Sequence, residues 1–409
     1  MGDVIVVRLQ EKIYESVVFD NGVLRVCSTS KIKGMSITAY VGGAVVHSYT
    51  TSFDRDSILK MVDKAAALVN TMKSHVQGAS SAELNIKGVK DRYKVMYRVD
   101  PTDIDINDKI KLIGNLNVEC LKKAGIVSAI TRYGFERDRK FILTSYGSRI
   151  DIEVTMVGIG HTAIARHGVV AERVFDQKSF VGGYEHVERY DWYSFVDEIQ
   201  NLAVKAAQAH TVSPGVYKVV VDSELIGVLL HEAFGHASEG DLVYLELSVL
   251  KDMAGRRVAG EGVSIVDEGV VDGGYPVPYD DDGVQKGRTY IVKDGVLVGY
   301  LHNIASARKL GFTSTGNSRA QDITFEPIVR QTNLYLLPGN ASFDELLEDV
   351  DYGLYLVGRG AGGGQVNTSV GTFTFDAGPS YVVRKGEISE LVRGVIISGN
   401  ILEVLNNIE

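Results

Sequence analysis

The residues best placed to do chemistry lie in LLHEAFGHASEGD, Leu229 to Asp241, where two histidines flank a glutamate. Imidazoles on one helical face can hold a zinc ion, and a carboxylate beside them can take a proton from the water that the ion activates. The known arrangement is H-E-x-x-H, with histidines at i and i+4. Here His231 and His236 stand five positions apart, with Glu232 directly after the first. At about 100° per residue their side chains would diverge by about 140° on a regular helix, too far for one ion. A single π-bulge would bring them nearly into line, and Gly235 eases either that distortion or an early end to the helix.

The helix that must carry these groups is expected over residues 223–236. Asp222 or Ser223 is its N-cap, and Glu224 sits in the first turn, where the helix dipole favours an anion. Leu225, Ile226, Val228, Leu229, Leu230, Ala233 and Phe234 make most of its surface apolar, so it is expected to be buried. Unpartnered imidazoles and a carboxylate there would cost several kcal/mol. Two readings meet that cost. In one, His231 and His236 ligate Zn2+ and Glu232 is the general base. In the other, the histidines are satisfied structurally and Glu232 pairs with a nearby arginine.

Around that helix the patterning predicts an α+β protein of two domains. Residues 1–212 form an N-terminal mixed α/β domain, and 213–409 a C-terminal, largely antiparallel β domain carrying the HExxxH helix. The turn-forming TVSPG, residues 211–215, is the boundary. Asn21-Gly22, Gly42-Gly43, Asp294-Gly295 and Lys385-Gly386 read as hairpin turns. Helical spacing appears in DRDSILKMVDKAAALVNTMKSH, with Asp56 or Ser57 as N-cap, and in NDKIKLIGNLNVECLKKAG, closed by Gly125. WYSFVDEIQNLAVKAAQAH and SFDELLEDV are further helices.

Composition narrows the function. A length of 409 residues exceeds one compact core. The net charge of −9 argues against wide sequence-independent binding to nucleic acid, which draws on clustered Lys and Arg. The start MGDVIVVRLQEK has no signal-peptide pattern, Val6 occupies the position where myristoylation needs Ser or Thr, and no apolar run is long enough to span a membrane. With only Cys27 and Cys120, two reduced thiols in a cytoplasmic protein are expected.

Several spaced segments resemble one family. LLHEAFGHASEGD is similar to the signature of the TldD/PmbA family, the modulators of DNA gyrase, in its zinc-bearing TldD branch. YDDDGVQKGRTYIVKDGVLVGYLHN resembles the family's hairpin, and GFTSTGNSRA its P-T-G-N-x-R segment with Ser314 in place of proline. GRGAGGGQVN, LVRGVIISGN and FDNGVLRVCSTSKIKGMSITAYVGG resemble its glycine-rich segment, closing strand and N-terminal hairpin. The resemblance runs over nearly the whole chain. It implies a zinc metallopeptidase acting on small or unfolded peptides and assembled with a PmbA-type paralogous subunit or with itself; it implies no direct nucleic-acid contact. One departure stands out. The family's third zinc ligand is a cysteine near the C-terminus, whereas this sequence has none after Cys120. Either Cys27 or Cys120 reaches across, or Glu239, Asp241 or His302 substitutes.

GRGAGGGQVN lacks the Gly-Lys-Ser/Thr ending of a phosphate loop. It is either a tight turn or a bare backbone, at Gly362, Gly363 and Gly364, on which a peptide lies as an added strand. Asn317 and Arg319 either orient that peptide and the metal's surroundings or belong to a surface turn. His161 and His167 have no carboxylate near them in sequence to complete a second metal site. The expected activity is therefore peptide hydrolysis with Glu232 activating a zinc-bound water; the alternative is a non-catalytic peptide-binding subunit of a TldD/PmbA-type complex whose metal site has degenerated.

Overall fold

The computed structural model describes residues 4–42, 44–75 and 86–409. Its first half is built on unusually long strands: β1 (Val4–Asp20), β2 (Val23–Val41), β3 (Ala44–Thr50), β4 (Lys90–Lys94), β5 (Ile126–Thr144), β6 (Arg149–His167) and β7 (Val170–Val181). They form one sheet in the order β3-β2-β1-β5-β6-β4, with β7 also paired to β6. All its pairs are antiparallel except β4 with β6. Asn21 and Gly22 turn β1 into β2 with φ of 51° and 77°, the left-handed pair that a two-residue hairpin requires. Asp294-Gly295 and Lys385-Gly386 do the same, with φ near 50° then 80°. Gly43 of the Gly42-Gly43 marker lies outside the described residues.

Four helices accompany this sheet: α1 (Arg55–His75), α2 (Ile106–Leu121), α3 (Glu185–Arg189) and α4 (Trp192–Gln208). Two local expectations change. The cap of α1 is Asp54, whose carboxylate accepts from the Ser57 N–H at 2.8 Å, rather than Asp56 or Ser57. α2 stops at Leu121 because Lys122 closes it with backbone bonds to Cys120 and Glu119, so Gly125, with φ 92°, belongs to the following turn. α2 and α4 lay Ile113, Leu116, Phe195 and Ile199 over Val17, Tyr133, Phe135 and Val157 of the sheet, giving the first-half core. Cys120 is buried in it, and burial pushes its thiol up to about 12.

Beyond residue 209 the chain forms four smaller sheets of two to five strands. Their pairs are antiparallel apart from Lys218–Val221 with Tyr352–Leu356 and His210–Thr211 with Glu387–Arg393. The fold is thus α+β. A second core, with Leu230, Phe234, Leu250, Ile265, Val292, Leu301 and Phe373, surrounds the helical segment that begins at Ser223. No helix among the described residues is long and apolar enough to cross a membrane.

The halves are joined by a buried polar seam. Asp280, Asp281 and Asp282 are each at most 2% exposed. Asp281 pairs with Arg8 of β1 at 2.5 Å and Lys140 of β5 at 2.7 Å. Burial alone would raise its carboxyl, but the two cations outweigh it and hold it at about 2. Asp282 accepts from the Tyr40 hydroxyl at 2.5 Å. Burial, and then the neighbouring Asp282 charge, raises Asp280 well above the usual carboxylate range.

Removing Asp281 leaves the buried Arg8 guanidinium without its carboxylate, so Asp281→Ala is expected to destabilise the protein by about 3–5 kcal/mol in denaturant titration. A loss below about 1 kcal/mol would show that the seam is not structural. Acid should act through His161, fully buried and bonded through Nδ1 to Thr131 at 2.9 Å. Burial lowers its pKa from 6.5 to about 4, so the unfolded chain binds the proton first. Its contribution is complete above pH 6.5 and falls toward pH 4, by about 1.4 kcal/mol per unit. Stability measured across that window should slope less in His161→Gln than in the parent; equal slopes would discount this residue.

Candidate active site

Helix α5 (Ser223–Leu229) is capped by Asp222, whose carboxylate accepts from Leu225 N–H at 2.7 Å. It does not run on as a regular helix. Residues Leu230–Gly235 form a π turn and His236–Ser238 a 3-10 turn, after which Glu239 is extended and ends the segment. The His236 N–H bonds to the His231 carbonyl, an i to i+5 contact that puts the two histidines one turn apart. Their ring centroids are 5.0 Å apart with planes at 81°.

That separation passes a geometric test. Two imidazoles sharing a tetrahedral ion through nitrogens about 2.0 Å from it have ring centroids about 5 Å apart. The donor chemistry also fits. Glu239, 1% exposed, meets the Nδ1 of His236 at 3.0 Å, fixing the ring and leaving Nε2 as the atom available to an ion. The Glu239 hydrogen bond raises the His236 pKa, whereas burial and then the neighbouring His236 lower that of His231. Arg330 balances the second Glu239 oxygen at 3.0 Å.

The turn is clamped from outside. Gln331 donates through Nε2 to the His231 carbonyl at 2.9 Å, and its amide occupies the space a Cβ on Gly235 would need. Ser238 Oγ donates to the Gly235 carbonyl at 2.7 Å, satisfying a group that the end of the helix leaves open. His231 and His236 face a cleft of about 400 Å³ whose far wall includes Arg319, Phe325, Glu326 and Arg330. Arg319, held by the Gln331 carbonyl at 2.6 Å, also borders a second cavity of about 260 Å³.

The other expected residues fall in several places. Among the described residues, no three His, Cys, Asp or Glu side chains gather as a metal set. Glu239 meets His236 through the ring nitrogen away from the cleft. Asp241 accepts from the backbone of Leu242 and Val329. His302 is 1% exposed, stacked on Phe312 with Nδ1 3.1 Å from Ser306 Oγ, and it does not border the cleft. Neither cysteine reaches the cleft: Cys120 is in the first-half core and Cys27 is exposed on β2. Asn317 is wholly buried, bonded to Asp267, Lys286, Thr315 and the Arg330 carbonyl; it supports the cleft wall from beneath.

Gly363 and Gly364 begin the strand Gly363–Asn367, which lies at the edge of a three-stranded sheet and packs against the π turn. Gly362 precedes it, and all three are exposed. A Cβ on Gly362 would come within 2.7 Å of Asp376, and one on Gly364 would overlap the Thr374 carbonyl. Arg330, Gln331 and Glu326 were missed in the sequence. Their only signal is that Ile328–Val329 pairs with Ser318–Arg319, and the eight-residue connection gives no hairpin turn to announce it.

Comparison with known proteins agrees with this architecture. Models of the PmbA/TldA metallopeptidase family match residues 5–69 (domain 1), 99–211 (central domain) and 214–409 (C-terminal domain). A metalloprotease of Methanothermobacter thermautotrophicus is 34% identical over 396 residues, 96% of this chain and 84% of that protein. One from Archaeoglobus fulgidus is 37% identical over 322 residues, 78% and 73% of the two chains. A zinc metalloprotease TldD homolog of Saccharolobus solfataricus is 33% identical over 281 residues, 68% and 60%. Among solved structures, a Thermotoga maritima protein named for modulation of a DNA gyrase superposes with a TM-score of 0.82 at 23% identity, covering 100% of this chain and 90% of its own. TldE from Thermococcus kodakarensis gives 0.70 at 18%, covering 98% and 89%. With three consecutive domain models matched and relatives aligned along almost the whole chain, the protein belongs to the PmbA/TldA metallopeptidase family.

Proposed function

We propose that this chain is a zinc-dependent peptidase of small or unfolded peptides. The observation that carries the reading is the i to i+5 backbone bond that brings two imidazoles to a 5.0 Å centroid spacing, with Glu232 next to the first of them in the same turn. His231 and His236 would hold the ion, which supplies Lewis acidity that acidifies water and polarises a carbonyl. Glu232 takes the proton of the attacking water on its carboxylate and delivers it to the departing amine nitrogen. Glu239 keeps the His236 Nδ1–H engaged, so that this ring keeps one orientation. Three relatives' names support the metal and the reaction: two are metalloproteases and one a zinc metalloprotease.

The exposed edge Gly363–Asn367 beside the π turn suits a peptide bound as an added strand. Backbone bonding gives affinity without strong side-chain selection, which fits labile or unfolded substrates. The same proposal divides the chain at residues 212 and 213, locates it in the cytoplasm and gives it a PmbA-type subunit or a second copy as partner. The similarity to TldE supports that partnership at the level of fold. A second reading, a peptide-holding subunit without catalysis, is favoured by the absence of a third clustered ligand among the described residues.

Cleavage of an unstructured peptide separates the two. Glu232→Gln should lower the rate by about 10²–10⁴-fold while bound zinc, measured by elemental analysis, stays at the parent level. Undiminished cleavage in that variant removes the mechanism; peptide binding without cleavage by the parent establishes the second reading. Glu239→Gln is expected to weaken zinc affinity about 10–100-fold, read by chelator competition. In Gly235→Ala the new methyl must displace Gln331, so cleavage and thermal stability should both fall. Gly235→Ala/Gln331→Ala should recover part of the stability; no recovery would show that the clamp is not where the glycine is needed.

A further inference from the structure

The wall facing the two histidines carries a charge that the fold does not balance. Its ionisable side chains are Arg319, Arg330 and Glu326. Arg330 stands 3.0 Å from the Glu239 carboxylate, which compensates it. Arg319 has no such partner. Among the described residues its one hydrogen bond is the donation from Nη1 to the Gln331 carbonyl at 2.6 Å, and no carboxylate pairs with it. The acidic groups that share the second cavity with it are all engaged elsewhere. Glu136 pairs with Lys12 at 3.2 Å, Asp138 accepts from Gln10 at 2.7 Å, and Asp281 is held by Arg8 and Lys140. Asp280 accepts from the backbone of Asp282, Val284 and Ser318.

This guanidinium is also held in place. Arg319 pairs with Ile328 across the short ladder, and the N–H groups of its neighbours Ser318 and Ala320 are fixed by Asp280 and Asp281. Holding the Gln331 carbonyl takes one donor. An arginine offers five in a rigid fork, and the rest of this one are not sealed off by protein. The remaining donors and the full positive charge therefore have no structural use. They match a planar carboxylate, which accepts two parallel N–H bonds from such a fork.

We propose that Arg319 binds a carboxylate of the peptide lying in the cleft, so that this chain selects acidic peptides. The inference rests on the reading of the cleft as a peptide site and gives that site a substrate class. A basic side chain would meet two guanidiniums against the single carboxylate of Glu326 on this wall. The chain as a whole carries a net charge of −9, so an acidic peptide gains nothing from the general surface. Selection falls to the cleft itself. The carboxylate is either an Asp or Glu side chain or the C-terminus of the peptide, and the two sources are separable.

The test reads affinity, by fluorescence anisotropy, on the full chain kept free of metal by chelator, so it holds whether or not the chain cleaves. The probes are unstructured peptides that differ only in a central Asp or Asn and in a free or amidated C-terminus. Removing the recognised carboxylate should weaken binding about 10-fold at low salt, and high salt should shrink that difference. A difference within the Asp/Asn pair assigns the contact to a side chain; one within the free/amidated pair assigns it to the C-terminus. Arg319→Gln keeps a donor for the Gln331 carbonyl and should bind all the peptides as the parent binds the neutral one. Arg319→Lys should retain part of the preference. Equal affinities in the parent, or no binding of any peptide, overturn the proposal. So does a preference that survives in Arg319→Gln, or an equal loss for every peptide in that variant, which would mark Arg319 as structural only. A parent that prefers the acidic peptides yet cleaves none of them with zinc restored keeps this inference and removes the peptidase reading.

Discussion

The site depends on one backbone irregularity, the π turn at Leu230–Gly235. An i, i+5 histidine pair on a regular helix points in two directions, and nothing in the side chains alone can correct that. A wider turn corrects it at the backbone, but it loosens the regular hydrogen-bond ladder, and the freed carbonyls need partners in a segment that is otherwise buried. The chain supplies them individually. The His231 carbonyl accepts from both His236 N–H and Gln331 Nε2, Gly235 accepts from Ser238, and Ala237 accepts from Ser248. Leu230, Ala233, Phe234 and Ala237 seal the inner face. The irregular turn is therefore fixed from several sides at once, by long-range partners on its open carbonyls and by apolar packing on its inner face.

Those partners come from far along the chain, and the buried aspartate run holds them in position. Asp280 accepts from the Ser318 N–H and Asp281 from the Ala320 N–H, on either side of Arg319. Arg319 in turn holds the Gln331 carbonyl, while the Gln331 side chain clamps the π turn. Arg8 and Lys140 compensate Asp281 from the N-terminal sheet, so the long strands of the first half fix the wall opposite the histidines. This explains why carboxylates remote from the cleft are buried at such cost. They translate the position of one sheet into the position of a cleft wall.

How far the sequence revealed this follows from the range of each interaction. The hairpins at Asn21-Gly22, Asp294-Gly295 and Lys385-Gly386 were legible because two adjacent residues set a left-handed turn. The capping box of the helix Phe343–Glu348 is equally local, Ser342 and Glu345 exchanging bonds. The distortion near Gly235 could be anticipated because five-residue spacing makes a regular helix useless for chelation. Long-range pairing was hidden. Nothing near Gln331 points to a carbonyl a hundred residues earlier, and nothing in Asn317 distinguishes a buried support from an exposed peptide contact. Glu239 was expected among possible ligands; its geometry on Nδ1 of His236 makes it the partner that orients a ligand, a distinction that three atoms decide and spacing does not.

The edge of Gly363–Asn367 and the outer edge of β2 differ in character. The edge Gly363–Asn367 is short, bare of side chains at its start and set against the π turn. Its glycines are required by the fold as well, since Gly362 and Gly364 have Asp376 and Thr374 where a Cβ would stand. A transient guest gains little from such an edge except backbone bonds, which permits release. The edge of β2 is long, apolar and remote from the cleft, and it ends on an aromatic ring beneath Lys33. Weak, sequence-tolerant pairing is suited to a substrate that leaves.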